Sequence, residues 1–234
     1  MRSKKFLVLS LAVLLGGLLF VMPANAILVD DTDDDFTISW LLNAGSADND
    51  GDITPFTLQA TASVNVTAVS ASSITLLITL SNTTPGSHPD ARLTSFGMGV
   101  TPNATSVSFS DPQGSDGGMV NAGLLGTNFP GGFSDIDVCS FGGVNCQGGA
   151  TGGLIPGASD VFQLVIGGIF SGGATFSPFP IKFQTGSGSF EFGGTEGGGG
   201  GGGGAVPEPG TVLLLGSGFV GLGWLQRRRQ KTKK

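Results

Sequence analysis

The chain has no tyrosine, one histidine, two cysteines and two tryptophans in 234 residues, and only 12% of it is charged. Each shortage narrows the possible chemistry. A lone imidazole, His88, excludes multi-histidine metal centres and leaves one candidate for a histidine base. With no tyrosine and only Trp40 ahead of the C-terminal tail, stacking platforms for sugar rings are scarce. Between Ile27 and Val206 only Arg92 and Lys182 are basic, against sixteen acidic residues. A segment so depleted of cations is no partner for nucleic acid phosphates.

What is abundant is glycine, at 42 positions, and phenylalanine, at 17. The basic residues that are present sit at the two ends, and strong charge asymmetry of this kind points to targeting segments around an acidic cargo. The N-terminus places Arg2, Lys4 and Lys5 before an apolar stretch, Phe6 to Val21, and then Pro23-Ala24-Asn25-Ala26. A basic, then apolar, then small-x-small order is that of a secretory signal peptide, with Ala24 and Ala26 framing cleavage after Ala26.

The C-terminus places Pro207-Glu208-Pro209 after eight glycines, Gly197 to Gly204. An uncharged apolar stretch follows from Thr211 to Leu225, then Arg227, Arg228 and Arg229 with three lysines behind them. As a helix the apolar stretch reaches about 22 Å, short of a hydrocarbon core of about 30 Å. The basic end would stay in the cytoplasm by the positive-inside rule. The glycine run is a flexible tether, about 16 Å in root-mean-square span. A rigid Pro-x-Pro handle on a marginal span suits a transient anchor presented to an enzyme.

These three elements in fixed order resemble the PEP-CTERM sorting signal of Gram-negative bacteria. The resemblance covers about 30 residues. It implies that Pro207, Glu208 and Pro209 are read by an exosortase-type membrane protease, after which the protein passes to the cell surface or the exopolysaccharide matrix. The stretch from Cys139 to Gly157 is similar to a cysteine-containing PEP-CTERM subfamily sometimes called cistern, which implies no molecular activity.

The middle of the chain alternates with period two in segments rich in Thr, Val, Ile and Phe, bounded by turn formers. Phe36, Ile38 and Trp40 form one such set, residues 56–68 a long one, and Ile74 to Leu80 the next. Others are Phe96, Met98 and Val100; Val107 and Phe109; Phe162 to Ile166; Ile181 and Phe183; Phe190 and Phe192. One apolar face per strand predicts an all-β, antiparallel β-sandwich of about seven to ten strands, with the alternating phenylalanines as core. Residues 111–160 are rich in glycine and polar residues, and are expected to be loops with a short strand around Ile136 to Val138. The expected organisation is a signal peptide over 1–26, an acidic sandwich over 27–193, a Gly-rich linker over 194–205 and a sorting signal over 206–234, its apolar part a single helix.

Within the sandwich, export to an oxidising compartment pairs Cys139 with Cys146 as a disulfide. Asp48, Asp50 and Asp52 are weak calcium candidates. As an EF-hand loop the segment fails, because glycine stands at its fourth position instead of its sixth and Gln59 at its twelfth. His88 lies in a turn by composition, and no G-x-S-x-G elbow accompanies it. Three N-x-[ST] sequons begin at Asn65, Asn82 and Asn103. No cofactor is expected and no catalytic residue is assigned. The expected function is non-catalytic: an exported surface or matrix protein with a structural or interaction role. Its expected partners are signal peptidase, the export machinery, an exosortase and exopolysaccharide. A carbohydrate- or calcium-binding module is the alternative, and a secreted hydrolase comes third.

Overall fold

A computed structural model describes residues 26–112, 117–148 and 152–197. The calls on Ala24, on the sorting residues and on the C-terminal helix lie outside them. Among the described residues the fold is all-β, with no α-helix and no helix long and apolar enough to cross a membrane.

Three antiparallel sheets are present. The largest runs in the order β14 (Thr195–Glu196), β2 (Phe36–Leu42), β3 (Leu58–Val69), β4 (Ser73–Asn82), β10 (Ser159–Gly167) and β7 (Ser106–Ser110). The second runs β13 (Gly188–Gly193), β12 (Pro180–Thr185), β5 (Arg92–Met98), β9 (Val138–Phe141) and β8 (Asn121–Leu124). A small third sheet joins β1 (Ile27–Val29), β11 (Ala174–Phe176) and β6 (Val100–Thr101).

The alternation seen in the sequence is the alternation of burial. In β4, Ile74, Leu76, Ile78, Leu80 and Asn82 are buried and the residues that alternate with them are half-buried. Inward side chains of both large sheets merge into one core, in which Trp40 of β2 meets Phe96 of β5 edge to face at 5.5 Å. Of the fourteen described phenylalanines eleven are buried, and Phe109, Phe133 and Phe141 are half-buried. Each full burial contributes roughly 1.5–3 kcal/mol. The aromatic wealth of the chain is therefore spent inside.

The sandwich was legible, and three details differ from the expectation. The two large sheets hold eleven strands, because two- to four-residue pieces such as β8 and β14 are too short to show alternation. β14 carries the sheet into the stretch expected to be linker: Thr195 pairs with Ser39 and Glu196 with Ile38. Residues 111–160 contribute two short strands, the edge strand β8 and its inner neighbour β9, with β9 beginning at Val138 instead of ending there.

One further difference matters most for the site. The five-stranded sheet is covered on both faces, so that six of the seven residues of β5 are buried. Its outer face carries a second apolar cluster, Phe129, Ile136, Cys139 and Cys146, with Leu125, Phe133 and Phe141 packed against it. The glycines allow this close cover. At Gly153, with φ +83°, a side-chain carbon would run into the Leu93 carbonyl, and Leu93 and Leu154 exchange backbone hydrogen bonds of 2.9 Å there.

Candidate functional site

The hairpin of β12 and β13 turns through Gly186 and Ser187, with Thr185 opposite Gly188. A two-residue connection fixes the register of both strands. That register sets Phe183 against Phe190 and Ile181 against Phe192 on the core side, and Lys182 against Glu191 on the outer side. The outer side would ordinarily be wet, and here it is not. Lys182 is 7% exposed and Glu191 3%. The Lys182 ammonium contacts Glu191 Oε1 and Ser189 Oγ, and Ser189 Oγ donates to Glu191 Oε1 at 2.9 Å.

Two loops exclude the water. Gly148 lies against the Lys182 stem and the Thr94 hydroxyl, so closely that a methyl group there would overlap the stem. This loop is held by the disulfide between Cys139, on β9, and Cys146, whose Cα atoms are 6.1 Å apart. From the other side the turn Asp48-Asn49-Asp50-Gly51-Asp52 docks on β13, the edge strand of its sheet. Asp48 Oδ1 accepts the Gly51 and Asp52 N–H groups at 3.0 and 2.8 Å, and Oδ2 accepts the Glu191 N–H at 3.0 Å. The Asn49 N–H donates to the Glu191 carbonyl at 2.9 Å. Both free backbone groups of Glu191 are thus satisfied, which closes part of an exposed sheet edge.

The structure brings together Asp48 and Asp50 of the expected calcium set and adds Glu191; their carboxylate oxygens lie within 4.8 Å of one another. Asp52 contributes its backbone to the turn and is not a member of the group. Glu191 was hidden in the sequence because it reads as the solvent-facing residue between Phe190 and Phe192. The crowding is electrostatically costly, and Asp50 shows it. Its hydrogen bond with Asp48, then burial, then the charges of Asp48, Glu191 and Asp52, push its carboxyl up to about 6. Lys182 supplies positive charge directly to Glu191, which reduces what a bound cation would add.

The other sequence candidates are taken up by packing. His88 stacks on Phe56 with ring centres 4.0 Å apart and planes at 15°. Asn82 is buried, and its amide donates to the Ala91 and Leu154 carbonyls, both at 2.8 Å, which removes it as a glycan acceptor. The Asn65 amide donates to Asp35 at 2.8 Å. Asn103 lines an open polar cleft of about 380 Å³, together with Thr101, Asn128, Asp135, Asp137 and Ser177. No aromatic ring lines that cleft, and among the described residues no aromatic side chain is exposed.

Ala26, the last residue of the expected signal peptide, immediately precedes β1, where Ile27 is buried and pairs with Phe176. No curated protein and no solved structure matches the chain. Residues 205–229 match the PEP-CTERM protein-sorting motif, and the match takes in Pro207, Glu208, Pro209 and all three arginines of the basic cluster. The chain is thus an exported protein that carries the C-terminal signal for sorting by an exosortase.

Proposed function

We propose that the acidic β-sandwich acts at the cell surface or in the exopolysaccharide matrix of a Gram-negative bacterium as a non-catalytic structural or interaction module. The observation that carries this reading is the sorting signal at residues 205–229. In it, the membrane segment holds the chain only until cleavage near Pro207-Glu208-Pro209 releases the body, with signal peptidase having acted after Ala26. The character of the body supports the passive role. Among the described residues its aromatic rings are buried or half-buried, its single imidazole is stacked on Phe56, and its only buried cation is tied to Glu191. A module of this kind contributes a stable, acidic surface to its surroundings instead of a reaction.

Mass spectrometry of the protein from membrane, surface and medium fractions tests the reading. The surface form is expected to begin at Ile27 and to lack the basic tail. Replacing Pro207, Glu208 and Pro209 together by alanine is expected to hold the chain in the membrane. Recovery of a surface form that still ends in Lys234 would overturn processing, and release of reducing ends from matrix polysaccharide by the purified body would overturn the non-catalytic role.

A further inference from the structure

We propose that Lys182 and Glu191 are joined by an isopeptide bond, formed within the chain by condensation of the Lys182 Nζ with the Glu191 Cδ. The amine and the carboxyl face each other in register on neighbouring strands, both side chains are buried, and Ser189 Oγ contacts both. Two further carboxyl groups, Asp48 and Asp50, converge on Glu191 within 4.8 Å. Asp48 is fixed by three backbone N–H groups, so the acidic turn cannot drift away from the pair. Amine and carboxyl are together in a place from which water is largely excluded, with the exposed Asp50 as a proton donor at its rim.

The step balances without any co-reactant. In a dry site a proton passes from the Lys182 ammonium to the Glu191 carboxylate, because a neutral pair is less penalised by burial than two charges. The Nζ lone pair then attacks Cδ and the C–N bond forms. The Asp50 carboxyl protonates the departing hydroxyl, the Cδ–O bond breaks and water leaves. The surplus proton on nitrogen returns to Asp50, which is regenerated. Ammonium and carboxylate have become an amide and a water molecule. Fixed geometry supplies the driving advantage, since well-oriented partners in one molecule reach effective concentrations on the order of 10⁵ M or more. The amide also removes two buried charges at once. Thr94 and Gly148, packed around the lysine stem, hold it in place.

The proposal does not depend on where the protein is finally lodged, and one set of spectra separates the two questions. The full chain is produced with its own signal peptide in a Gram-negative host, and its intact mass and peptides are measured. The expected mass is one water below that calculated for the chain with its disulfide and observed termini. Trypsin is expected to leave the bond after Lys182 uncut, and chymotrypsin, cutting after Phe183 and Phe190, to release two strand peptides still joined. Lys182→Arg and Glu191→Ala each restore the full mass. Asp50→Asn, which leaves both partners in place, is expected to slow the reaction and give a mixture of the two masses. A wild-type protein at full mass that trypsin cuts after Lys182 overturns the bond. Complete condensation in Asp50→Asn overturns Asp50 as the proton donor. Errors in the sorting reading would alter only the terminal peptides.

Discussion

The indole N–H of Trp40 donates a 2.9 Å hydrogen bond to the carbonyl of Phe179, across the interior of the sandwich. The two residues are 139 apart in sequence, and Trp40 is 2% exposed. The bond joins β2 to the segment that leads into β12. The same carbonyl also accepts the Gly194 N–H at 2.8 Å, so it keeps one partner when the indole is lost. Trp40→Phe is therefore expected to lose about 1–3 kcal/mol, the sum of one buried hydrogen bond and a small void. Urea unfolding of the mature protein, followed by circular dichroism, gives the number. A change below half a kilocalorie would show that the bond contributes nothing.

Asn82 lies in the same sheet, in register with Trp40 through Ala60, and its buried amide binds the Ala91 and Leu154 carbonyls. Asn82→Asp would set a carboxylate against both of them. A loss of about 3 kcal/mol or more is expected, with an aspartate that stays protonated well above its usual range. Retained stability at neutral pH would mean that this corner opens to solvent.

The disulfide closes a short loop over the outer face of the five-stranded sheet, and Cys139 and Cys146 belong to the small apolar cluster there. Replacing both by alanine is expected to cost about 2–3 kcal/mol on the chain-entropy account. The effect should also be local. Amide exchange is expected to rise in residues 141–148 and around Lys182, which that loop covers, and to stay unchanged in β3 and β4. Uniform acceleration across both sheets would contradict a local cover.

Asp50 gives a pH signature whose sign follows from its neighbours. Its carboxyl is pushed up to about 6 in the folded protein from 3.8 ordinarily, by its hydrogen bond with Asp48, then burial, then the charges of three nearby acids. A raised folded value means that the contribution is complete below pH 3.8 and lost as pH rises through about 6. Asp34 works in the opposite direction. The Asp31 and Asp30 N–H groups lower its value, so its contribution is present at neutral pH and fades in acid. In a series of melting curves Asp50→Asn is expected to flatten the decline between pH 4 and 6 and to leave the acid limb alone. Salt should weaken the wild-type decline, since the group lies near the surface. An unaltered slope in the variant would assign it to other groups.

The sequence revealed the architecture wherever a strand is long enough to repeat its pattern. Ile74 to Leu80 and Phe162 to Ile166 alternate over enough residues to leave no other reading, and both are central strands. β1, β8 and β11 have three or four residues each, and their pairing is decided by partners far along the chain. The same limit hid one of the three members of the acidic site. Asp48 and Asp50 stand in an obvious acidic turn, but their neighbour Glu191 is 141 positions beyond Asp50 and reads as a surface residue. Period-two logic assigns one wet face to each strand, and the five-stranded sheet has none at this point. The cover that dries it comes from glycine-rich loops, whose composition carries no periodic signal.

Those loops invert an ordinary intuition about mutability. A stretch such as Gly-Gly-Val-Asn-Cys-Gln-Gly-Gly looks like slack chain that would accept almost any replacement. Here two of its glycines, Gly142 and Gly148, and Gly153 beyond them, lie so near neighbouring backbone or the Lys182 stem that even a methyl group has no room. Random mutagenesis of this protein should accordingly find its least forgiving positions among residues with no side chain at all, while polar sites on the outward face of β3 change freely.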